Sequence, residues 1–367
     1  MATMHQIRVE PRQPPGSASR LVSRDRRSDL LRQSAAARAL GNAFVAEVLA
    51  AAFRQLHHAP RLEALIARWP HDPASSAMAL RLNAGLHAVA RRGSSADLSA
   101  LYARHHVRFD RAIADALARE QTTLLQWMDH PTQTNEARRS SAFMAALLVL
   151  ADTYAMPFEL FEIGASAGLN LLLDRYGHDL GGVRTGDEHS ALQLRPDWNG
   201  PPPPQAHVRI AGARGVDLRP MKLDDPLTCE RLQSYVWPGE QERARVLEQA
   251  IAIARHDPPD IARASAGNWL RTQLAAPVRP GTMRVVLHSM VQQYLPENER
   301  ALLAAAIGTA ARQADRSAPL ARIGFEWCPR RSDVQLTLVT WDGHDTDGQA
   351  RLLATCHPYG AAIAFKN

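Results

Sequence analysis

The sequence predicts an α/β fold: a mainly parallel sheet with helices on both faces, preceded by an all-α region. Three observations predict it. Between Leu31 and about Asp129 the apolar residues recur at three- and four-residue spacing, as in Ala39, Leu40, Phe44, Val45, Val48, Leu49, Phe53 and Leu56, and no period-2 segment interrupts them. At residue 158 the period changes: the apolar run Phe158-Glu159-Leu160-Phe161-Glu162-Ile163 breaks at Gly164, and after Gly168 a run of leucines begins a helix. From there to residue 316 short apolar runs alternate with helical stretches, the pattern of a parallel sheet with crossover helices.

The elements follow in order. Residues 1–30 mix Pro11, Pro14, Pro15 and Gly16 with serines and arginines, seven of the latter up to Arg32, and this composition builds no core; an arm is expected. Breaks at residues 58–60, 69–73 and 91–95 divide residues 31–130 into about four helices. Pro131 is expected to open a further helix through Arg138, Phe143, Leu147 and Leu150, with Thr134 as its cap, leading into the glycine turn. Residues 177–215, with Gly181-Gly182 and four prolines at 201–204, read as a polar insertion carrying a hairpin. Strands are expected at 208–210, 215–218, near 262–266 and at 283–288, with helices at 238–255, around 269–274 and at 297–316. Three strands, 321–327, 334–341 and 350–356, close the chain, the last two as an antiparallel pair joined by the Asp/Gly-rich turn at 342–348.

Composition bounds the function. With 46% apolar and 22% charged residues, the 367-residue chain is ordinary for a globular protein, and two domains are expected: 31–130, and 131–367 with its insertion. No run of about 18 uncharged apolar residues exists to span a membrane, and the N-terminus lacks a signal peptide's apolar core, so a cytoplasmic location is expected. The three cysteines, Cys229, Cys328 and Cys356, are widely spaced and suit inert thiols in a reducing compartment. A pI near 9.6 raises nucleic acid as a partner. All but two of the 43 basic residues are arginine, however, dispersed without a block of interleaved aromatics, so a small-molecule partner is expected instead. The histidines at 57–58, 71 and 105–106 have no metal-ligand spacing with nearby acids, and no metal site is expected.

The stretch 162–168 carries the chemistry. Glu162-x-Gly164-x-x-x-Gly168 matches the first motif of class I S-adenosylmethionine-binding folds, where small residues bring the backbone close to the ligand. The expected architecture is therefore a Rossmann-like class I methyltransferase-type sheet with an all-α N-terminal domain. Gly164-Ala165-Ser166-Ala167-Gly168 also matches Gly-x-Ser-x-Gly, the nucleophile elbow of α/β-hydrolases, and His288, His344 and His357 lie downstream as triad partners. Against the hydrolase, an elbow sits in a sheet that has already laid down several strands, and an upstream oxyanion segment rich in His and Gly is missing.

Several stretches resemble one family in the same order: Gln133-Thr134-Asn135-Glu136 with Arg139, Glu162 to Leu171, Gly215-Val216-Asp217-Leu218-x-Pro220, Trp237-Pro238 with Arg243, and Leu287-His288-Ser289 with Tyr294. They are similar to the bacterial family known as domain of unknown function 2332. The resemblance covers most of the chain and implies a methyltransferase-like fold. It leaves the reaction to be read from the residues.

S-adenosylmethionine, or S-adenosylhomocysteine as product, is accordingly expected on Glu162, Gly164, Ala165, Ser166, Gly168 and Asn170, with Gly164 leaving space for it. Asp217 is expected on the ribose and Asn268 at the adenine, while Gln133, Asn135, Glu136 and Arg139 cover the methionine end. His288, ending a buried strand, is the expected base for methyl transfer to an unidentified small-molecule acceptor, with Tyr294 as the alternative. A cofactor sensor without catalysis and a serine hydrolase are the competing functions.

Overall fold

The computed structural model describes residues 25–366 apart from 40, 74, 75, 131 and 345–347. The expected arm falls outside the described residues up to residue 24, as do Leu40, Pro131 and the middle of the 342–348 turn. By Ser28 the chain is already helical.

Seven α-helices and no strand are formed by the described residues up to Asp129: α1 Ser28–Ala39, α2 Ala43–Gln55, α3 Pro60–Ala67, α4 Met78–Arg92, α5 Ala96–Tyr102, α6 Phe109–Arg119 and α7 Gln121–Asp129. The three expected breaks are present, and three more subdivide the region. At one of them Asn42 accepts a hydrogen bond from the Val45 N–H and so restarts the chain as α2. The apolar spacing is used as read: Phe44, Val45, Val48 and Leu49 enter one shared core with Leu82, Leu86, Ile113 and Leu117.

The stretch expected to be helical from residue 131 has no regular secondary structure over residues 132–136, and α8 runs only from Ser140 to Tyr154, after a 3-10 turn at Ala137–Arg139. Thr134 does not cap it. The side chains of Gln133, Asn135 and Glu136 are spent on distant partners instead of on the local helix end, which is why the cap pattern misleads. α8 then buries nearly its whole length, Ala142 to Ala151, against one face of the sheet.

That sheet has nine strands: β1 Phe158–Ile163, β5 Asp197–Asn199, β6 Ile210–Asp217, β7 Asp260–Arg263, β8 Met283–Ser289, β9 Leu320–Trp327, β10 Val334–Trp341, β11 Arg351–Cys356 and β12 Ala362–Phe365, ordered β5-β12-β11-β10-β9-β8-β1-β6-β7. The run β7-β6-β1-β8-β9 is parallel throughout, and β9, β10, β11 and β12 pair antiparallel. The result is a mixed α/β structure with a large, mostly parallel central sheet. Between β1 and β6 lie β2 Gly177–Leu180 and β3 Val183–Gly186, a hairpin at the expected Gly181-Gly182 turn, and β4 Gln193–Leu194, which pairs with β2 in a small second sheet. The insertion is not wholly separate, because its β5 pairs with β12 at the edge of the main sheet.

Both faces are covered, as alternation along the strands requires. Phe158 and Leu160 of β1 join the α8 side, with Val285 and Leu287 of β8. Phe161, Ile163 and Val286 point to the opposite side, where α11 Ala266–Ala275 and α12 Glu297–Ala311 pack. The two strands expected at 208–210 and 215–218 are one, β6. Two helices link β6 to β7: α9 Pro226–Tyr235, which the sequence reading missed, and α10 Gln241–His256. The helix expected after Gly168 is a 3-10 segment, Leu169–Arg175, with a kink at Leu172. Leu169, Asn170, Leu171, Leu172 and Leu173 are all buried, so this stretch has no polar face on which a longer amphipathic helix would rest.

Candidate functional site

The carboxyl ends of β1, β6 and β8 meet at one edge, since Ile163 is in register with Val216 on one side and His288 on the other. At this edge an open α/β sheet carries its ligands. The turn Gly164–Gly168 is held tightly there. Asp217 Oδ2 accepts from the Ser166 N–H at 2.9 Å, and Asn135 Oδ1 accepts from the Leu169 N–H at 2.9 Å. Gln133 Nε2 donates to Arg219 O at 2.9 Å and lies 3.4 Å from Asp217 Oδ1. The expected ribose acid and two of the expected lid residues, Gln133 and Asn135, thus converge on the turn, although their first task is to fix it.

Gly164 and Gly168 both have positive φ, +70° and +73°, which a side chain would resist. Gly164 does not simply leave space for a ligand: a Cβ there would stand 2.5 Å from Val291 Cγ2 of the β8–α12 loop. Ser166 is a non-glycine residue in the left-handed region, φ +55°, and Ala165 is fully buried beneath it against Gly215. Three oxygens along this stretch, Glu162 Oε2, Ser166 Oγ and Asn170 Oδ1, are buried without a hydrogen-bond partner among the described residues. Unpaired buried polar atoms are costly, and a cluster of them at a sheet edge marks a place built for something else.

Glu162 is the most telling of the three. It is 1% exposed, and its other oxygen, Oε1, accepts from Asn170 Nδ2 at 3.1 Å. Burial pushes its pKa up to about 8, while the Asn170 bond and the Arg139 charge pull it down and Asp217 pushes it further up. Because the folded value lies above the ordinary 4.5, Glu162 is protonated in both folded and unfolded chains at low pH. As pH rises from about 4.5 towards 8 the unfolded chain ionises first, and stability is lost across that window. Glu162→Gln is therefore expected to be more stable than the wild type by about 1 kcal/mol or more at pH 8, with the difference shrinking to nothing near pH 4. Urea unfolding at the two pH values checks this, and an equal difference at both would contradict it.

Arg139 is the counterpart. It is 6% exposed at the start of α8, donates from Nε to Pro358 O at 3.0 Å and from Nη1 to Ser289 Oγ at 3.4 Å, and lies 5.6 Å from the Phe325 ring centre. Burial lowers its pKa, but a guanidinium stays charged. No carboxylate pairs with it among the described residues. Glu136, three residues earlier, is already taken: its Oε1 accepts from Arg243 Nε at 2.8 Å and also from Nη2, both residues being 7% exposed. Arg243 donates again to Glu240 at 2.6 Å and stacks 3.9 Å above Tyr359. Glu136 is thus a strut between the 133–139 segment, α10 and the β11–β12 turn.

Other expected residues lie apart from this group. His288 reaches the same edge but faces the α12 side with Ile163, opposite to Glu162. There its Nδ1–H donates to Glu326 Oε1 at 2.9 Å, and Gln292 Nε2 stands 3.3 Å from its Nε2. Tyr294, 58% exposed, lines a cavity of about 210 Å³ with Gly164, Val216, Asp217, Ala264, Ser265 and Val291. Asn268 is exposed on α11, bonded to Ser265 and Arg271, and does not line that cavity; Glu299 does. Glu326, Glu299 and Pro358 went unread in the sequence, and Ser289 was read only as part of the stretch Leu287-His288-Ser289, without a role. Of these only Glu326 had a signal, its place near the end of an apolar strand.

Among the described residues no group of three His, Cys, Asp or Glu side chains is arranged to hold a metal ion, and no helix is long and apolar enough to cross a membrane. Fold and edge together define an α/β protein with a small-residue turn, a buried carboxyl with one unbonded oxygen and a buried guanidinium without an ion-pair partner at the carboxyl ends of its parallel strands. The family described as "uncharacterized protein conserved in bacteria (DUF2332)" matches residues 27–365, and the chain belongs to it. No curated protein and no solved structure matches the chain.

Proposed function

We propose that this chain binds S-adenosylmethionine at the Gly164–Gly168 turn and transfers its methyl group to a small-molecule acceptor. The observation that carries the reading is the complementary pair beside the turn: Glu162, with a free oxygen, and Arg139, with no acid of its own. An amino-acid end, with its carboxylate and ammonium, satisfies both. Only the parallel strand run β7-β6-β1-β8-β9, which is 3-2-1-4-5 in chain order, adds support from the fold, since this is the order in which Rossmann-like sheets place a nucleotide across β1 and its neighbours. In this reading the cavity between Asp217, Ala264, Ser265 and Tyr294 takes the adenosine, with Asp217 on the ribose. Its present volume, about 210 Å³, is small for the whole cofactor, and Val291 would have to yield.

The cofactor supplies an electrophilic methyl group on a sulfonium. The protein's part is alignment: Arg139 and Glu162 fix the amino-acid end and Asp217 holds the turn. His288 is suited to accept a proton. Glu326 takes its Nδ1–H, which leaves Nε2 as the basic nitrogen. His288→Gln is expected to lower turnover roughly 10²-fold while leaving cofactor affinity within a few-fold, read by steady-state kinetics beside calorimetry. Equal loss of affinity and turnover would make His288 a binding or structural group.

The hydrolase is the second reading, favoured by the left-handed Ser166 and its unbonded hydroxyl. Against it, among the described residues no histidine bonds Ser166 and no strand precedes β1. A sensor that binds the cofactor without turnover is the remaining alternative. Parallel incubation with S-adenosylmethionine and a fluorophosphonate probe separates them. Labelling that is lost in Ser166→Ala, with no cofactor bound, would favour the hydrolase.

A further inference from the structure

We infer that a second site, separate from the amino-acid end at Glu162 and Arg139, binds an organic phosphate in a cavity of about 770 Å³ between the ends of β6 and β7 and helices α9 and α10. Six basic side chains line it: His130, Arg219, Lys222, Arg231, Arg255 and Arg263. They come from the end of α7, the segment after β6, α9, α10 and β7, so the fold and not a local sequence run brings them together. Asp224 is the one acid in the lining.

None of the six has a carboxylate ion-pair partner among the described residues. Elsewhere some arginines have one, as Arg54 has Asp110 at 2.8 Å, Arg92 has Glu230 at 2.6 Å and Arg175 has Asp257 at 2.8 Å. What sets the cluster apart is its convergence: six basic side chains share one cavity whose lining holds a single acid. Arg231 adds an independent sign, since its Nε is a buried donor with no acceptor. At His130, burial and then the charges of Arg231 and Arg219 hold the imidazole below its ordinary value, as an excess of positive charge requires.

The rest of the lining selects the ligand. One carboxylate needs one guanidinium, whereas several unpaired cations around one space match a group of two or more negative charges, and arginine forks suit phosphate oxygens. Met221, Leu223 and Pro259 form an apolar wall for an organic body, and the volume is that of a small-molecule site. No Phe, Tyr or Trp lines the cavity for bases to stack on, which argues against a single-stranded nucleic acid. Gln133 and Ala167 share the wall with the glycine turn, so the two sites are neighbours.

Calorimetric titration of the full chain with pyrophosphate at low ionic strength tests this, with citrate as the polycarboxylate arm. Pyrophosphate is expected to bind at least tenfold more tightly than citrate, and the Arg219→Gln/Arg263→Gln double variant to bind it roughly 10²-fold more weakly. Both side chains are exposed, so the variant's thermal unfolding is expected to be unchanged, and Lys222→Gln gives a second, smaller loss. No binding at millimolar pyrophosphate, equal binding by the double variant, or citrate binding as tightly as pyrophosphate overturns the inference. The titration contains no S-adenosylmethionine, so its result stands whether or not the cofactor reading does.

Discussion

Arg139→Met is expected to weaken S-adenosylmethionine binding by roughly 10²-fold or more without lowering the protein's stability. The arginine is nearly inaccessible and unpaired, so in the free protein it is an uncompensated buried charge, held by one carbonyl and one hydroxyl. Removing such a charge in favour of an apolar side chain of similar length relieves desolvation, and buried-charge replacements of this kind are often neutral or stabilising. In the bound state the same arginine would face the cofactor's carboxylate, and losing one partner of a desolvated, hydrogen-bonded charge pair costs about 2–5 kcal/mol. The two effects have opposite signs, and that makes the variant informative. Calorimetry beside thermal unfolding reads both. A large fall in Tm with affinity unchanged would assign Arg139 to holding Pro358 and Ser289 in place.

Glu136→Gln should do the reverse, with a loss of about 3–5 kcal/mol in stability. Its partner Arg243 is equally buried and would be left with Glu240 alone, which is 29% exposed and more weakly coupled through solvent. The strut also joins pieces distant in sequence, so its loss should loosen the 133–139 segment against α10 and the β11–β12 turn together. Pairing it with Arg243→Met should restore part of the loss, because the orphaned charge is gone. Urea unfolding of the single and double variants measures this. A single variant within about 1 kcal/mol of the wild type would mean that water reaches the pair.

The legible parts of the fold were those in which local pattern and tertiary role agree. β1 and β8 are buried on both faces and read as apolar runs, and the helices before residue 130 show their inward stripe in the spacing of Phe44, Val48 and Leu49. The turn was legible because its glycines are where the backbone needs positive φ. What stayed hidden was non-local. Glu136 and Asn135 looked like the polar start of a helix, yet one bonds an arginine 107 residues away and the other the backbone of the turn. Asp225 capping Leu227, with Pro226 at the first position, did announce α9, and that signal was passed over. β12 has four residues, two of them alanine, and pairing with β11 and β5 decides it more than its own pattern does. The six basic side chains of the larger cavity, read along the chain, did not stand out from the dispersed basic residues around them.

Titration of the protein with S-adenosylmethionine at pH 7, in two buffers of different ionisation enthalpy, tests the central claim most directly. If the amino-acid end seats between Arg139 and Glu162, one equivalent binds, and close to one proton is released as the neutral Glu162 carboxyl ionises beside the ammonium group. The release is expected to vanish in Glu162→Gln. No binding of S-adenosylmethionine or S-adenosylhomocysteine, or binding with the same proton count in wild type and Glu162→Gln, would contradict the account.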